Sequence, residues 1–424
     1  MREDMRLLES SEIMTTPLSN KIEDAFKILD KMIKPRSNIV IAYSGGKDST
    51  ALILLFYEWV KRRKIEDLNV IILHNDTLDE ILPMELWARK FMKQTQDIFG
   101  KLGYEIELLI TKPPLIDTFY WRVLVRGYPA PTYNFRWCVK LLKRNPTRKS
   151  LQTLSSRFNQ KRVILLTGLR ETESFNRKRS ITRRFGSCSM GGGKCLAYFF
   201  SREDFKGVKK VAPLRCWETI DVWSLISLDS PFDVSDLLEL YTCEGARYGC
   251  WHCTVTRVQW GLHALKDDHY LYFDAARLIY RKLSDIPWLR KRKRKGYSRL
   301  GALNTAARAI IFRLLKTLES LSGKKLYGLD ESQVYDGTSL REILFNSSAE
   351  DIEKIISLED KNLDPKRRVN FSEIIYPKKR CRDLIVKSLK EIERSSRGEK
   401  SRKLMLARGF DAVKEIIEEI LTEF

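Results

Sequence analysis

Histidine is scarce in this chain of 424 residues, with four in all. None pairs with another at helical or zinc-site spacing, so a histidine-rich hydrolytic metal centre is not expected. No uninterrupted apolar stretch is long enough to cross a bilayer, and Met1 to Asn20 is charged and polar where a secretory leader would need an apolar core. We therefore expect no membrane association and a cytoplasmic location. Cysteine is sparse too, with eight residues, too few to scaffold a chain this long; they read more naturally as thiols, metal ligands or redox groups. A Walker A loop, which needs Gly-x-x-x-x-Gly-Lys-Ser/Thr, is missing.

Positive charge is abundant: 77 Lys and Arg against 55 Asp and Glu give a formal net charge of +22. Such an excess concentrates polyanions near the protein and argues for a nucleic-acid partner, though not for any particular fold. The length allows two or three folding units.

The stretch that organises the chain is Ile39-Val40-Ile41-Ala42-Tyr43-Ser44-Gly45-Gly46-Lys47-Asp48-Ser49-Thr50. A short apolar run reads as a buried parallel strand that delivers a glycine loop to the N-terminus of a helix beginning near Ala51. That geometry binds anions. Gly45 and Gly46 let the backbone approach a phosphate, backbone N–H groups and the Ser44 and Ser49 hydroxyls can donate to its oxygens, and Lys47 supplies compensating charge.

An amphipathic helix over residues 20 to 35 precedes the first strand. Further strands are expected at Asn69 to His74, Ile106 to Ile110 and Arg162 to Gly168, with a helix from about Met84 to Phe99 between them. Strands alternating with helices predict an α/β fold with a doubly wound parallel sheet. Ligands on such sheets bind at the strand C-termini, which would put the loop at Ser44, the turn at Asp76 and the turn at Gly168 on one edge. Beyond about residue 265 strands vanish and lysine-arginine runs take over, notably Arg290 to Lys295. We therefore expect a nucleotide-binding domain over 1–265 and a basic, mainly helical domain over 266–424.

Other constellations could carry chemistry. Arg170, after the fourth strand and near Arg177, Arg179, Arg183 and Arg184, could grip phosphates bidentately. The proline-broken aromatic loop Tyr128 to Trp137 delivers Cys138, whose thiol should be acidified by Arg136 and Lys140. Cys243, Cys250 and Cys253 offer soft thiolates to one centre. A fourth ligand is needed: zinc would accept His252 or a distant cysteine, and an iron-sulfur cluster would take Cys138 or one of Cys188, Cys195 and Cys216. Spacing alone leaves zinc, cluster and a redox pair open.

Assembled in order, these residues resemble the phosphoadenylylsulfate reductase group of PP-loop ATP pyrophosphatases, with an adenine nucleotide alpha hydrolase-like fold, and within it the DndC-type sulfur-transfer proteins of DNA phosphorothioation. The similarity rests on Ser44 to Ser49, Asp76-Thr77 through Pro83, Arg126 to Pro129, Arg136-Trp137-Cys138, Gly168 to Ser174, Pro213-Leu214-Arg215 with Trp217 and Asp221-Val222-Trp223, and Arg247 to Val255. The resemblance implies ATP as cofactor, cleaved to AMP and pyrophosphate, with phosphates on the Ser44 to Ser49 loop, adenine near Asp76, and Asp48 helping to place Mg2+. It implies a [4Fe-4S] cluster on Cys138, Cys250 and Cys253, with Cys243 the nearest fourth ligand. The implied partners are DNA, a cysteine desulfurase as sulfur donor, and other DNA phosphorothioation proteins. No cysteine follows Cys381, so the Cys-Gly-x-His tail of sulfonucleotide reductases is missing, which disfavours a true reductase. A tRNA thiolase and a zinc-stabilised nucleic-acid-binding protein are the rival readings.

Overall fold

A computed structural model describes residues 17–158, 163–173, 175, 178–179, 181–182, 199–200, 207–242, 246–256, 258–291, 300–323, 334–335, 338–339, 377–397 and 404–424. The chain divides into two compact units, each assembled from separate segments. The first comprises Met1–His74, Lys90–Leu109 and Leu151–Val234; the second comprises Asn75–Arg89, Ile110–Ser150 and Ser235–Phe424.

The sheet is built from β1 (Asn38–Tyr43), β2 (Asn69–Asn75), β3 (Ile106–Thr111), β4 (Val163–Thr167), β5 (Phe199–Phe200) and β6 (Val208–Val211), in the spatial order β3-β2-β1-β4-β6-β5. Five strands run parallel, and β5 pairs antiparallel with β6 at the edge. Register is continuous from Asn38 opposite Asn69 to Tyr43 opposite His74, and from Asn38 opposite Val163 to Ala42 opposite Thr167. Because the chain leaves β1 toward β2 and β3 and then returns to place β4 on the other flank of β1, the strand order reverses between β1 and β4. A crevice opens at the carboxyl ends of strands at such a switch point.

Apolar residues on consecutive positions of β1 and β4 follow from burial on both faces. On one face Val40, Ile71, Leu73, Val163 and Leu165 pack with Leu151 and Leu154 of α4 (Asn145–Arg157). The first unit also contains α1 (Leu18–Met32) and α2 (Lys47–Arg63), and α2 is buried almost continuously from Ser49 to Val60. Each such fully buried Leu, Ile or Phe contributes about 1.5–3 kcal/mol. α5 (Thr219–Ile226) packs against both α1 and α2. There the Lys21 ammonium meets the Asp221 carboxylate at 2.6 Å, with both side chains nearly enclosed.

In the second unit α8 (Tyr270–Asp285), α9 (Thr305–Ser322), α10 (Lys379–Arg397) and α11 (Leu404–Thr422) form a helical bundle with a core that includes Ile279, Leu283, Ile310, Leu314, Leu389, Ile392, Ile416 and Ile420. Asn304 caps α9 by accepting from the Ala307 N–H at 3.0 Å, and Gly323 ends it in the left-handed region. Several cations of this region are structural. Arg308 is buried and donates to the carbonyls of Leu124 and Val125 in the π-helical turn Trp121–Val125. Arg290 donates to the carbonyls of Ser284, Leu300 and Gly301. The remainder of the basic run, from Arg292 to Lys295, lies outside the described residues.

The Lys21–Asp221 pair gives a test of the first unit's packing. Removing one partner strands the other charge in a dry site, so Lys21→Ala should cost about 3 kcal/mol of unfolding free energy. Equilibrium urea denaturation would register that as a lower midpoint at unchanged slope.

Candidate active site and thiol centre

The chain crosses from β1 into α2 through Ser44-Gly45-Gly46. Gly45 takes φ +78°, which a side chain would resist, and lets the loop turn beneath the helix N-terminus. Ser49 braces the loop: its hydroxyl accepts from the Ser44 N–H at 3.2 Å, donates to the Gly46 carbonyl at 2.9 Å and lies 3.1 Å from the Ser44 hydroxyl. Ser49 is therefore occupied in shaping the loop, and α2 sets its positive dipole end behind it.

Asp48 is held from two sides. Its Oδ2 accepts from Lys47 Nζ at 2.9 Å, and its Oδ1 accepts from Arg170 Nε at 2.6 Å. Arg170, 1 % exposed, continues to the Thr172 hydroxyl at 2.9 Å, the Trp217 carbonyl at 3.1 Å and the Thr219 hydroxyl at 3.3 Å. A guanidinium so placed works chiefly as a fixed support for Asp48. Gly168 explains how the end of β4 comes so close: a Cβ there would lie 2.5 Å from the Asp48 carbonyl oxygen and 3.1 Å from the Ser49 nitrogen. Beside it Arg215, fully buried, pairs with Glu171. Ser44, Gly45, Gly46, Lys47, Asp48, Ser49, Gly168 and Arg170 thus gather at the β1/β4 switch point.

Asp76 follows β2 directly and is the second residue of the second unit's first segment. Its N–H donates to the Thr111 carbonyl at 3.0 Å, its Oδ1 accepts from the Leu78 N–H at 2.8 Å, and Lys112 and Arg89 stand 3.8 and 3.9 Å from Oδ2. Next comes the platform for the thiols. Glu80 bridges to Cys250 across an antiparallel pair, the Trp251 N–H donates to the Asp79 carbonyl at 2.9 Å, and the Thr77 hydroxyl lies 3.2 Å from Cys250 Sγ. The Asp79 carboxylate faces His252 Nε2 at 3.1 Å, out of line for a hydrogen bond, and burial pushes its carboxyl up.

Lys143, exposed to solvent, is held in its charged form by the negative forms of Cys250, Glu80, Cys253 and Cys138, the first of these weighing most. The expected acidification of Cys138 by Arg136 and Lys140 is reversed. Burial and then the neighbouring Cys253 raise this thiol, with Lys143 opposing them, while Arg136 lies 4.7 Å over the Tyr133 ring. Cys250 is pushed well up by burial, against the pull of Lys143 and the Thr77 hydroxyl. Sequence reading missed Lys143 because α-helical spacing from Cys138 would turn it aside. The segment Val139–Arg144 is a π-helix, whose wider turn carries it back.

Cys243, Cys188 and Cys195, with Arg177, Arg183 and Arg184, lie outside the described residues. Cys216, another possible fourth ligand, is disulfide-bonded. Among the described residues no group of three or more His, Cys, Asp or Glu is placed to grip one metal ion. Thiols are the donor class an iron-sulfur cluster takes, and Cys138, Cys250 and Cys253 are the described site cysteines that are free to supply them. Behind the loop, Arg277 donates to the carbonyls of Cys253 and Thr256 at 3.3 and 2.9 Å and is held by Asp274, which His263 also contacts at 2.9 Å. No helix among the described residues is long and apolar enough to cross a membrane.

A parallel sheet with a glycine loop at its switch point is the architecture of the adenine nucleotide alpha hydrolase-like superfamily, in which ATP use is typical. Within it, residues 38–256 match the phosphoadenosine phosphosulfate reductase domain, and the chain belongs to that family. A curated relative, the uncharacterized protein MJ0066 of Methanocaldococcus jannaschii, is 26% identical over 227 residues, which are 53% of this chain and 37% of that protein. The chain thus spans little more than a third of that relative's length. Among solved structures, the U34-tRNA thiolase NcsA of Methanococcus maripaludis with its [4Fe-4S] cluster is 15% identical, with 63% of this chain and 78% of that one covered at a TM-score of 0.32. The FMN adenylyltransferase of Candida glabrata with FMN and AMPCPP is 16% identical, with 49% and 56% covered at a TM-score of 0.30. Overlap that slight says nothing of this chain's substrate.

The contact at Gly168 is the sharpest test of the loop. Gly168→Ala should displace the start of α2 and, if the loop cleaves ATP as proposed below, lower that turnover about 100-fold, the scale on which misplacing reacting groups by about an ångström acts. Pyrophosphate release reads the loss, and circular dichroism should show the helices retained.

Proposed function

We propose that the protein is an ATP-dependent sulfurtransferase that acts on the DNA backbone. The observation that carries this reading is the presence in one chain of a phosphate loop with a doubly clamped acid, Lys47–Asp48–Arg170, and a separate thiol-bearing loop, with Cys250 bridged to Glu80 and 3.2 Å from the Thr77 hydroxyl and Cys253 three residues on. An ATP-cleaving loop alone would suit any adenylating enzyme, whereas soft thiols suit the handling of sulfur.

In this reading the loop N–H groups and Lys47 hold the ATP phosphates, and binding releases Lys47 from Asp48, which then helps place Mg2+. A non-bridging oxygen of a DNA phosphate attacks the α-phosphorus, and pyrophosphate departs with the electron pair of the broken P–O bond. A sulfur nucleophile, supplied as persulfide sulfur by a cysteine desulfurase, next attacks the DNA phosphorus. The P–S bond forms as AMP leaves, carrying away the backbone oxygen. The sulfur is then joined to the desulfurase cysteine as P–S–S–Cys, and a second thiol attacks the desulfurase sulfur, forming a disulfide and releasing the phosphorothioate with the electron pair of the broken S–S bond. Cys138, Cys250, Cys253 and Cys243 would hold a [4Fe-4S] cluster, which would supply one-electron redox chemistry beside the sulfur. The Thr77 hydroxyl steadies Cys250, and Arg277 fixes the carbonyl of Cys253. The net charge of +22 supports a polyanionic acceptor, and other DNA phosphorothioation proteins would present it.

If Lys47 neutralises ATP phosphates, Lys47→Ala should abolish pyrophosphate release and leave the protein folded. Nuclease-digested DNA from cells carrying this variant should lack the phosphorothioate dinucleotides that mass spectrometry finds with the unaltered gene; sulfur in tRNA bases instead would reassign the acceptor.

Protein purified without oxygen should be brown and hold iron and acid-labile sulfide in matching amounts, and Cys250→Ala or Cys253→Ala should bleach it. Colourless protein with one zinc and no iron would favour a structural metal.

A further inference from the structure

A column of aromatic rings runs through the second unit from the cysteine loop to the surface. His252, between Cys250 and Cys253, stacks on Phe119 at 3.7 Å and 15°. Phe119 stacks on Trp137 at 6.4 Å and 13°, Trp137 meets Tyr128 at 5.2 Å, and Tyr128 stacks on Phe135 at 6.3 Å and 21°. His252, Phe119 and Trp137 are buried and Tyr128 partly so, but Phe135 is 43 % exposed and Tyr133 beside it 57 % exposed, with the Arg136 guanidinium 4.7 Å over the Tyr133 ring.

These open rings are firmly held. Thr132 and Phe135 pair in both directions, N–H to carbonyl, at 3.3 and 3.1 Å, closing a tight turn with Tyr133 and Asn134 at its tip. The Trp137 indole donates to the Pro129 carbonyl at 3.0 Å, the Thr254 hydroxyl to the Pro131 carbonyl at 2.6 Å, and the Ala130 N–H to the Ser284 hydroxyl at 2.7 Å. Exposing two large rings on an anchored turn forgoes apolar burial and leaves a planar face ready for a planar ligand. Arg136, Lys140 and Lys143, all with exposed surface, supply positive charge along the same stretch.

We infer that Tyr133 and Phe135 are a stacking platform for an unpaired base, and that the platform holds a nucleic-acid strand beside the cysteines. This deepens the nucleic-acid reading proposed above and rests on it. Stacked bases prolong the ring column outward, and Arg136, Lys140 and Lys143 take the flanking phosphates. A duplex keeps its bases covered, so the platform selects a strand with at least one base out of the stack.

The experiment uses the full chain and a short, mixed-sequence single-stranded oligodeoxynucleotide carrying 2-aminopurine, followed by fluorescence and anisotropy at several salt concentrations. The unaltered protein should quench 2-aminopurine by stacking. Tyr133→Ala combined with Phe135→Ala should abolish the quench and weaken binding about 10-fold or more, since each base-aromatic stack lost is worth that scale of affinity. The salt dependence should stay as steep, because no charge is removed, whereas Arg136→Gln with Lys140→Gln should flatten it. Phe135→Tyr should restore the quench, and ATP binding without nucleic acid should be unaffected throughout. If the unaltered protein binds the strand and the double alanine variant binds and quenches equally well, the platform is refuted while the sulfur-transfer reading stands. If the unaltered protein binds no strand, the platform is refuted, and the sulfur-transfer reading falls with it where duplex DNA of the same sequence is not bound either.

Discussion

Asp48 cannot be moved without moving everything that touches it. Its carbonyl lies where a side chain on Gly168 would stand, and its carboxylate is shared between Lys47 on the same helix and Arg170 at the end of β4. Two parallel strands separated in sequence by more than a hundred residues are thereby joined at their carboxyl ends by one acid. Arg170 is itself fixed by Thr172, Thr219 and the Trp217 carbonyl, so the acid's position passes to α5 and onward to the buried Lys21–Asp221 pair. The shape of the loop follows from this chain of contacts as much as from its glycines.

The same residues illustrate how an arginine's surroundings decide its use. Arg170, Arg215, Arg277 and Arg308 are each nearly or wholly buried, with partners that are carboxylates or backbone carbonyls. Guanidinium tolerates such sites because its planar donors can satisfy several acceptors at once and its charge is weakly hydrated. Part of the large positive charge thus serves internal architecture, and the cations that remain at the surface, such as Arg136 and Lys140, carry the case for a polyanion.

Much of the sheet was legible in sequence because its signals are local. Unbroken apolar runs marked β1, β2, β3 and β4, and the Ser44 to Ser49 string marked the loop between β1 and α2. Less local facts were hidden. The π-helix that turns Lys143 toward Cys250 leaves no periodicity distinct from an α-helix, so Arg136 and Lys140, nearer in sequence to Cys138, drew attention instead. Desolvation, which decides the Cys138 thiol, depends on the packing of distant segments. Arg290 looked like one member of a basic run, yet carbonyls from residues on both sides of it claim its donors.

The order of the chain has a consequence for how the thiol centre comes into being. Cys138 belongs to one segment of the second unit and Cys250 and Cys253 to another, and the intervening segment Leu151–Val234 belongs to the first unit. During synthesis Cys138 leaves the ribosome well before the other two exist, while the first unit is still gathering its last strand and helix. Domains tend to fold as they emerge. The three cysteines therefore come together late, once the segment that completes the first unit has been made and Arg277 has followed to fix the Cys253 carbonyl.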